Sequence, residues 1–199
     1  MRCFPNGRAT FGQFLNKMIT LGILSDTHIP DRAQRLHPQI ISIFKQAGVQ
    51  SILHAGDVST QAVLTELGKV AKVYAVRGNR DWIWLRNLPD TLFLNISDAL
   101  IVLTHGHGGL FEYLRDKYYW RKEGYRLDRY QPRLQRTFPA ARVIVFGHTH
   151  TALNLWVNGQ LFFNPGSPHF PEDKNVAPSL GLLHIDAGGR VVGEIIQLE

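Results

Sequence analysis

Cysteine is almost missing from this chain: Cys3 is the sole one among 199 residues. No internal disulfide can form, so the fold must rest on a packed core. The same scarcity suits a reducing compartment, and a cytoplasmic location is the expectation. Long apolar runs are missing too. None approaches the roughly 20 residues that a bilayer-spanning helix needs, so no membrane partner is expected. Nor is there an internal repeat, a low-complexity tract or a linker. With 44% hydrophobic and 19% charged residues, the composition is that of a globular domain and excludes a disordered chain. The length fits one domain with a core of its own.

Acidic residues are scarce in two places. Residues 1–17 carry Arg2, Arg8 and Lys17 and no acid, and they lack the apolar stretch of a secretory signal. They read either as a basic N-terminal extension or as the product of a start codon upstream of Met18, and the domain is placed at 18–199. The second place is 108–142, where nine Lys/Arg face Glu112, Asp116, Glu123 and Asp128, giving +5 of the formal +6. With the extension at +3, the remainder is about −2. A basic surface favours anionic partners, nucleic acid among them, although most charged helical faces are merely solvated.

After Met18 short β-branched runs alternate with helical patterns, the mark of an α/β layer fold. Strands are expected at Ile19–Leu24, Ser51–His54, Lys72–Val76, Leu100–Thr104 and Arg142–Phe146. Helices are expected over Gln34–Ala47, from a Ser59 or Thr60 cap to Leu67, and across Gly109–Phe138. The rear of the chain reads as antiparallel hairpins: Ala152–Val157 with Gln160–Phe163 around Asn158-Gly159, then Leu180–Ile185 with Val191–Leu198.

The residues that carry chemistry sit where the expected strands end. Strand one runs into Ser25-Asp26-Thr27-His28, strand two into His54-Ala55-Gly56-Asp57, and strand three into Gly78-Asn79-Arg80-Asp81. Leu100–Thr104 leads to His105-Gly106-His107, and the strand before Gly147 to His148-Thr149-His150. In open α/β sheets ligands bind outside the carboxyl ends of the strands. If the segments are extended, Asp26 with His28 and His148 with His150 point to the same side and can act as paired ligands. Glycines at 56, 78, 106 and 147 permit sharp turns and close backbone approach. Carboxylate, imidazole and amide oxygen suit manganese, zinc, iron or nickel, and the lack of thiolates disfavours a structural zinc site. Each fragment alone is ordinary punctuation; five of them in order at strand ends are not.

Those fragments, D-x-H, G-D, G-N, H-G-H and G-H-x-H, resemble the pattern of the calcineurin-like metallophosphoesterase superfamily. More narrowly, the chain is similar to small bacterial and archaeal phosphodiesterases of the YfcE type, over Ile19 to Leu198 and including Asn164-Pro165-Gly166-Ser167. The resemblance implies a four-layer αββα sandwich with two divalent ions at its edge, Mn²⁺ above Zn²⁺, Ni²⁺, Fe²⁺ or Mg²⁺. It implies that Asp26, His28 and His150 bind the first ion, that Asp57 bridges, and that Asn79, His105 and His148 complete the second. The reaction implied is phosphodiester hydrolysis, with a bridging hydroxide attacking in line. Asp57, Asn79 and Arg80 are then the catalytic candidates, Asn79 by also donating its amide hydrogen to the phosphate.

One position departs from the family pattern. Many relatives carry His after the Gly-Asn, a leaving-group acid, whereas this chain has Arg80. A guanidinium binds phosphate but donates protons poorly. His107 and Asp81 are the fallback acids. His54 is expected to support Asp57, Asn164 and Ser167 to lie near the site, and His169 and His184 to be structural. Trp82 and Trp84 are expected in the core rather than in a substrate wall. The 108–138 stretch, longer than the family's usual connection, fits an oligomer contact, a substrate lid or a plain amphipathic helix. Two other functions compete with the enzyme: a binding scaffold, and a nuclease using the basic 108–142 region.

Overall fold

The computed structural model describes residues 18–199, so the expectation for 1–17 lies outside the described residues. In chain order the elements are β1 Ile19–Leu24, α1 Pro38–Gln46, β2 Ser51–His54, α2 Gln61–Leu67, β3 Lys72–Ala75, β4 Thr91–Ile96 and β5 Ala99–Thr104. They continue with α3 Leu110–Glu123, α4 Leu127–Thr137, β6 Val143–Val145, β7 Leu153–Val157, β8 Gln160–Asn164, β9 Ser179–Ile185 and β10 Val191–Gln197. Two five-stranded sheets result, ordered β10-β9-β1-β2-β3 and β4-β5-β6-β8-β7.

Period-two alternation builds the layers. Leu21 and Ile23 of β1 face Ile101, Leu103, Val143, Val145 and Phe163 of the second sheet, forming the central core. On the outer face of the first sheet, Ile52 and Leu182 pack against Ile40 and Phe44 of α1 and Val63 and Leu67 of α2. On the outer face of the second, Val102, Ile144 and Phe162 meet Leu134 of α4. Helix, sheet, sheet, helix is the expected four-layer sandwich.

Several elements differ from the sequence reading. Helix α1 starts at Pro38, later than Gln34, with the His37 ring accepting from the Gln39 amide. Proline at the first helical position costs no hydrogen bond. The expected helix over Gly109–Phe138 is two helices, broken where Gly124 takes φ 69°. Strand β4 had no counterpart in the sequence reading, and it pairs antiparallel with β5. The rear hairpins do not form one antiparallel half. The β7–β8 hairpin joins the second sheet, where β8 runs parallel to β6, and the β9–β10 hairpin joins the first beside β1. Trp82 and Trp84 are 58% and 77% exposed, contrary to the core expectation. They lie in a turn after the Gly-Asn loop, and the Arg77 guanidinium covers the Trp82 ring at 5.2 Å.

What the topology does for the site is simple. Strands β1, β2 and β3 run parallel in one sheet, and β5, β6 and β8 in the other. Their carboxyl ends therefore open on one edge of the sandwich.

Candidate metal centre

Five loops meet at that edge. Asp26 and His28 follow β1, Asp57 follows β2, Asn79 follows β3, His105 follows β5, and His148 and His150 follow β6. Asp26, His28, Asp57 and His105 are at most 3% exposed. The seven side chains sort into two clusters around Asp57. On one side His28 Nε2 stands 3.8 Å from Asp57 Oδ2 and 3.8 Å from Asp26 Oδ1, and His150 Nε2 stands 3.4 Å from Asp26 Oδ1. The two imidazole Nε2 atoms are 3.1 Å apart. On the other side His105 Nε2 stands 3.5 Å from Asp57 Oδ1 and 3.1 Å from Asn79 Oδ1, which His148 Nδ1 approaches to 3.0 Å.

The residues paired in the D-x-H and H-x-H motifs do not come from extended segments. Asp26, His28, Asp57, His148 and His150 have φ of 54°, 51°, 52°, 69° and 55°. Such left-handed backbone costs energy in a residue with a Cβ and gathers at functional sites. Here it folds each D-x-H and H-x-H tightly enough to aim both side chains inward. Glycine relieves the crowding around them. A Cβ on Gly78 would lie 2.1 Å from Asp57 Oδ1.

Neighbouring groups set the protonation. His105 Nδ1 lies 2.7 Å from the Ala55 carbonyl and His150 Nδ1 2.6 Å from that of Phe170. A carbonyl only accepts, so both Nδ1 atoms carry hydrogen and both rings turn Nε2 to the centre. Burial depresses His28 to about 3 and holds His148 well below the usual imidazole value, keeping both neutral. Burial works against the Asp26 charge, but His150, His105 and His28 outweigh it and hold that carboxyl well below the usual range. Burial also penalises the charge on His150, yet Asp26 prevails and raises it. Burial raises Asp57 to about 6, with Asp26 adding to the rise and His105 opposing it.

Two observations fit this centre to cations. Asp26 Oδ1 is buried without a hydrogen-bond partner among the described residues, although donors crowd it. Triads of Asp26, His28 and His150, and of Asp26, Asp57 and His105, each present ligand atoms within 4.8 Å of one another. A buried carboxylate oxygen facing several imidazole nitrogens is an arrangement that a divalent ion satisfies.

The remaining candidates fall into place behind the centre. His54 does not reach Asp57; its Nε2 lies 3.2 Å from Thr27 Oγ1, between the two ligands of the D-x-H turn. Asp81 is no fallback acid. Its buried carboxylate accepts from the backbone of Ser59 at 2.7 Å, Gly78 at 2.8 Å and Val58 at 3.3 Å, tying the G-D loop to the G-N loop. His107 packs against His105 and His148 outside the cleft lining, and burial depresses it to about 4, which makes it a poor acid near neutrality. Asn164 Nδ2 donates to the Gly147 carbonyl and Thr149 Oγ1, both at 3.0 Å, and Ser167 Oγ donates to the Asp26 carbonyl at 2.9 Å. Arg80 donates its backbone N–H to Asp57 Oδ1 at 2.8 Å, while its guanidinium stands at the cleft 3.5 Å from Asp31.

Three features lay beyond the sequence reading. Ser25 Oγ donates to Asp26 Oδ2 at 2.6 Å, and Asp31 braces Arg80. In addition, a cleft of about 290 Å³ over the centre is walled by Tyr113, Trp120, Tyr125 and Tyr130 of the α3–α4 region. The aromatic-basic composition of 108–142 was the signal for the third, but it does not say which way the rings face.

Known proteins resemble the chain in sequence and in structure. The calcineurin-like phosphoesterase superfamily domain matches residues 19–188. A probable metallophosphoesterase of Methanothermobacter thermautotrophicus is 34% identical over 178 residues, covering 89% of this chain and 91% of that protein. A phosphodiesterase of Methanocaldococcus jannaschii is 26% identical, covering 73% and 82%. Vacuolar protein sorting 29 of Cryptosporidium parvum superposes with a TM-score of 0.63 at 18% identity over 91% of this chain and 99% of its own. That last likeness is one of fold.

Proposed function

The chain belongs to the calcineurin-like phosphoesterase superfamily, and from that premise we propose that it is a hydrolase of small phosphodiesters working with two divalent ions, manganese first among them. One observation carries the reading: Asp57 turns Oδ2 to the His28 cluster and Oδ1 to the His105 cluster. A single carboxylate shared by two sets of donors is what a dinuclear site requires. Asp26, His28 and His150 would hold one ion and Asn79, His105 and His148 the other. When bound, the pair supplies Lewis acidity, lowering the pKa of a shared water and neutralising phosphoryl charge.

The rest is done by the chain's own groups. Asn79 lines the cleft with Oδ1 turned to two imidazoles, which leaves Nδ2 to donate to a phosphoryl oxygen. Arg80, kept at the cleft by Asp31, offers a permanent positive charge to the same group. Arg80 stands where a leaving-group acid would and donates protons poorly, so esters whose alcohols leave as stable anions are the favoured substrates. The phosphodiesterase relative supports the substrate class. The scaffold alternative draws on the fold it shares with the sorting protein, and the retention of all seven donors weighs against it. Weighing against the nuclease alternative, Arg126, Arg129 and Arg133 pair with Glu123, Asp128 and Asp116 rather than facing outward unpaired. A cytoplasmic site of action belongs to the proposal and rests on the lone cysteine.

The test is metal-stripped protein incubated with bis(p-nitrophenyl) phosphate, before and after Mn²⁺ is added back. Turnover returns with the metal, and Asp57→Asn lowers it by about a hundredfold or more. Silence under Mn²⁺, Zn²⁺, Ni²⁺, Fe²⁺ and Mg²⁺ alike ends the reading.

A further inference from the structure

The cleft above the centre is walled in part by a segment that sequence reasoning left open between lid, oligomer contact and plain helix. Helix α3 contributes little to the core. Phe111, Leu114 and Tyr118 are 73%, 56% and 55% exposed, and Asp116 alone among its described side chains is buried. That carboxylate accepts from Arg133 of α4 at 2.6 Å, and the same guanidinium donates at 2.7 Å to the Gly106 carbonyl, between His105 and His107. An Arg only 16% exposed and held at both terminal nitrogens is a firm tie, so Arg133 fastens α3 to a loop that carries a proposed metal ligand.

The tie fixes which rings face inward. Tyr113 and Tyr130 lie with ring centroids 5.8 Å and 6.3 Å from that of His148. Tyr125 continues the wall beyond Tyr130, at 5.4 Å. At the rim, Trp120 Nε1 donates to Glu172 at 2.6 Å, across to the loop that follows His169. Tyr130, 7% exposed, backs the wall, and Trp120, 44% exposed, is its most open ring; burial raises the Tyr125 and Tyr130 phenols to about 12. Cations stand opposite and beside this wall: Arg32, Arg80 and Lys117 all line the cleft. Its volume of about 290 Å³ lies at the lower end of the small-ligand range.

An aromatic wall running outward from a phosphate-binding centre, with positive charge at its foot, selects a molecule that is anionic at one end and planar at the other. We propose that the α3–α4 hairpin is a specificity wall that stacks a planar aromatic group, such as a nucleobase, borne by one ester arm of the substrate. The inference rests on the phosphodiesterase reading and deepens it. The reaction is unchanged: the water oxygen bonds to phosphorus, the P–O bond to the leaving group breaks with its electron pair going to the departing oxygen, and of the water's two protons one passes to solvent and one stays on the phosphate monoester formed.

Two esters with the same leaving group separate the wall from the chemistry: thymidine 5′-(p-nitrophenyl phosphate) and methyl p-nitrophenyl phosphate, each with Mn²⁺-loaded full chain. The nucleosidyl ester is favoured about tenfold or more in kcat/KM, chiefly through KM. Replacing Trp120→Leu and Tyr113→Leu together brings the ratio towards one. A wild-type ratio near one, or variants that lose both esters equally, overturns the wall. Calorimetric binding of thymidine 5′-monophosphate against methyl phosphate decides the matter should neither ester turn over. Selective binding of the nucleotide, lost in the double variant, then upholds the wall while the hydrolase reading falls. Equal or absent binding overturns the wall on its own.

Discussion

At the scale of single residues, the centre holds its charges against burial. His28 at about 3, His54 at about 4, His107 at about 4 and His148 well below the usual value are all depressed chiefly by desolvation. Neutral imidazole is the form a metal needs, so burial prepares the ligands before any ion arrives. It also makes the metal-free fold sensitive to acid. Above 6.5 these rings are neutral whether the chain is folded or not. As pH falls below that value the unfolded chain takes up protons that the folded one refuses, and stability is lost towards 4. Asp57, raised to about 6, and His150, also raised, act with the opposite sign, gaining protons in the fold first. Four groups against two leave a net loss. In EDTA, Tm should fall by several degrees between about pH 7 and pH 5, at about 2–4 °C per kcal/mol for a chain of this size. A flat or rising Tm over that range would contradict the neutral assignment of these histidines.

At the scale of elements, loops rather than strands decide the geometry. The G-N loop passes so close to Asp57 that a Cβ on Gly78 would meet Asp57 Oδ1 at 2.1 Å and Asp57 N at 2.3 Å. Gly78→Ala must therefore displace Asp57, the carboxylate that stands between His28 and His105. It should lower Mn²⁺-dependent turnover by about a hundredfold and Tm by several degrees. Gly188→Ala, where the nearest atom is 3.5 Å away, should change neither. Retained turnover in Gly78→Ala would show that Asp57 need not be held where it is. The sequence reading named residues that the fold brings together and missed their backbone for one reason. Residue type and order mark Asp26, His28, His148 and His150, but left-handed φ leaves no trace beyond the tolerance of Asp, Asn and His for it. Central strands such as β5 were legible from continuous burial. Edge strand β4 went unread although Leu92, Phe93, Leu94 and Ile96 make Thr91–Ile96 an apolar run; its residues are only partly buried at the sheet edge. Trp82 and Trp84 misled because size suggests a core, whereas the turn that carries them points outward. The break at Gly124 was visible only as a glycine inside an otherwise helical run.

At the scale of the whole molecule, the centre is a seam. The loops after β1, β2 and β3 belong to the first sheet and bring Asp26, His28, Asp57 and Asn79; those after β5 and β6 belong to the second and bring His105, His148 and His150. Each proposed ion thus takes donors from both sheets. Elsewhere the two sheets meet through side chains such as Ile23, Val145 and Phe163, a contact without direction. Ions at the edge would add directed bonds across the same boundary, and because they bind the folded chain alone they stabilise it by linkage. Free Mn²⁺ at about a hundred times its Kd is worth about 2.7 kcal/mol, a rise in Tm of about 5–10 °C. EDTA should reverse the rise, and Asp57→Asn should remove most of it because both ions lose a donor together. If Mn²⁺ moved Tm by less than about 1 °C at millimolar concentration, the seam would be closed by packing alone, and the histidines and carboxylates along it would be a polar margin with no ion to hold.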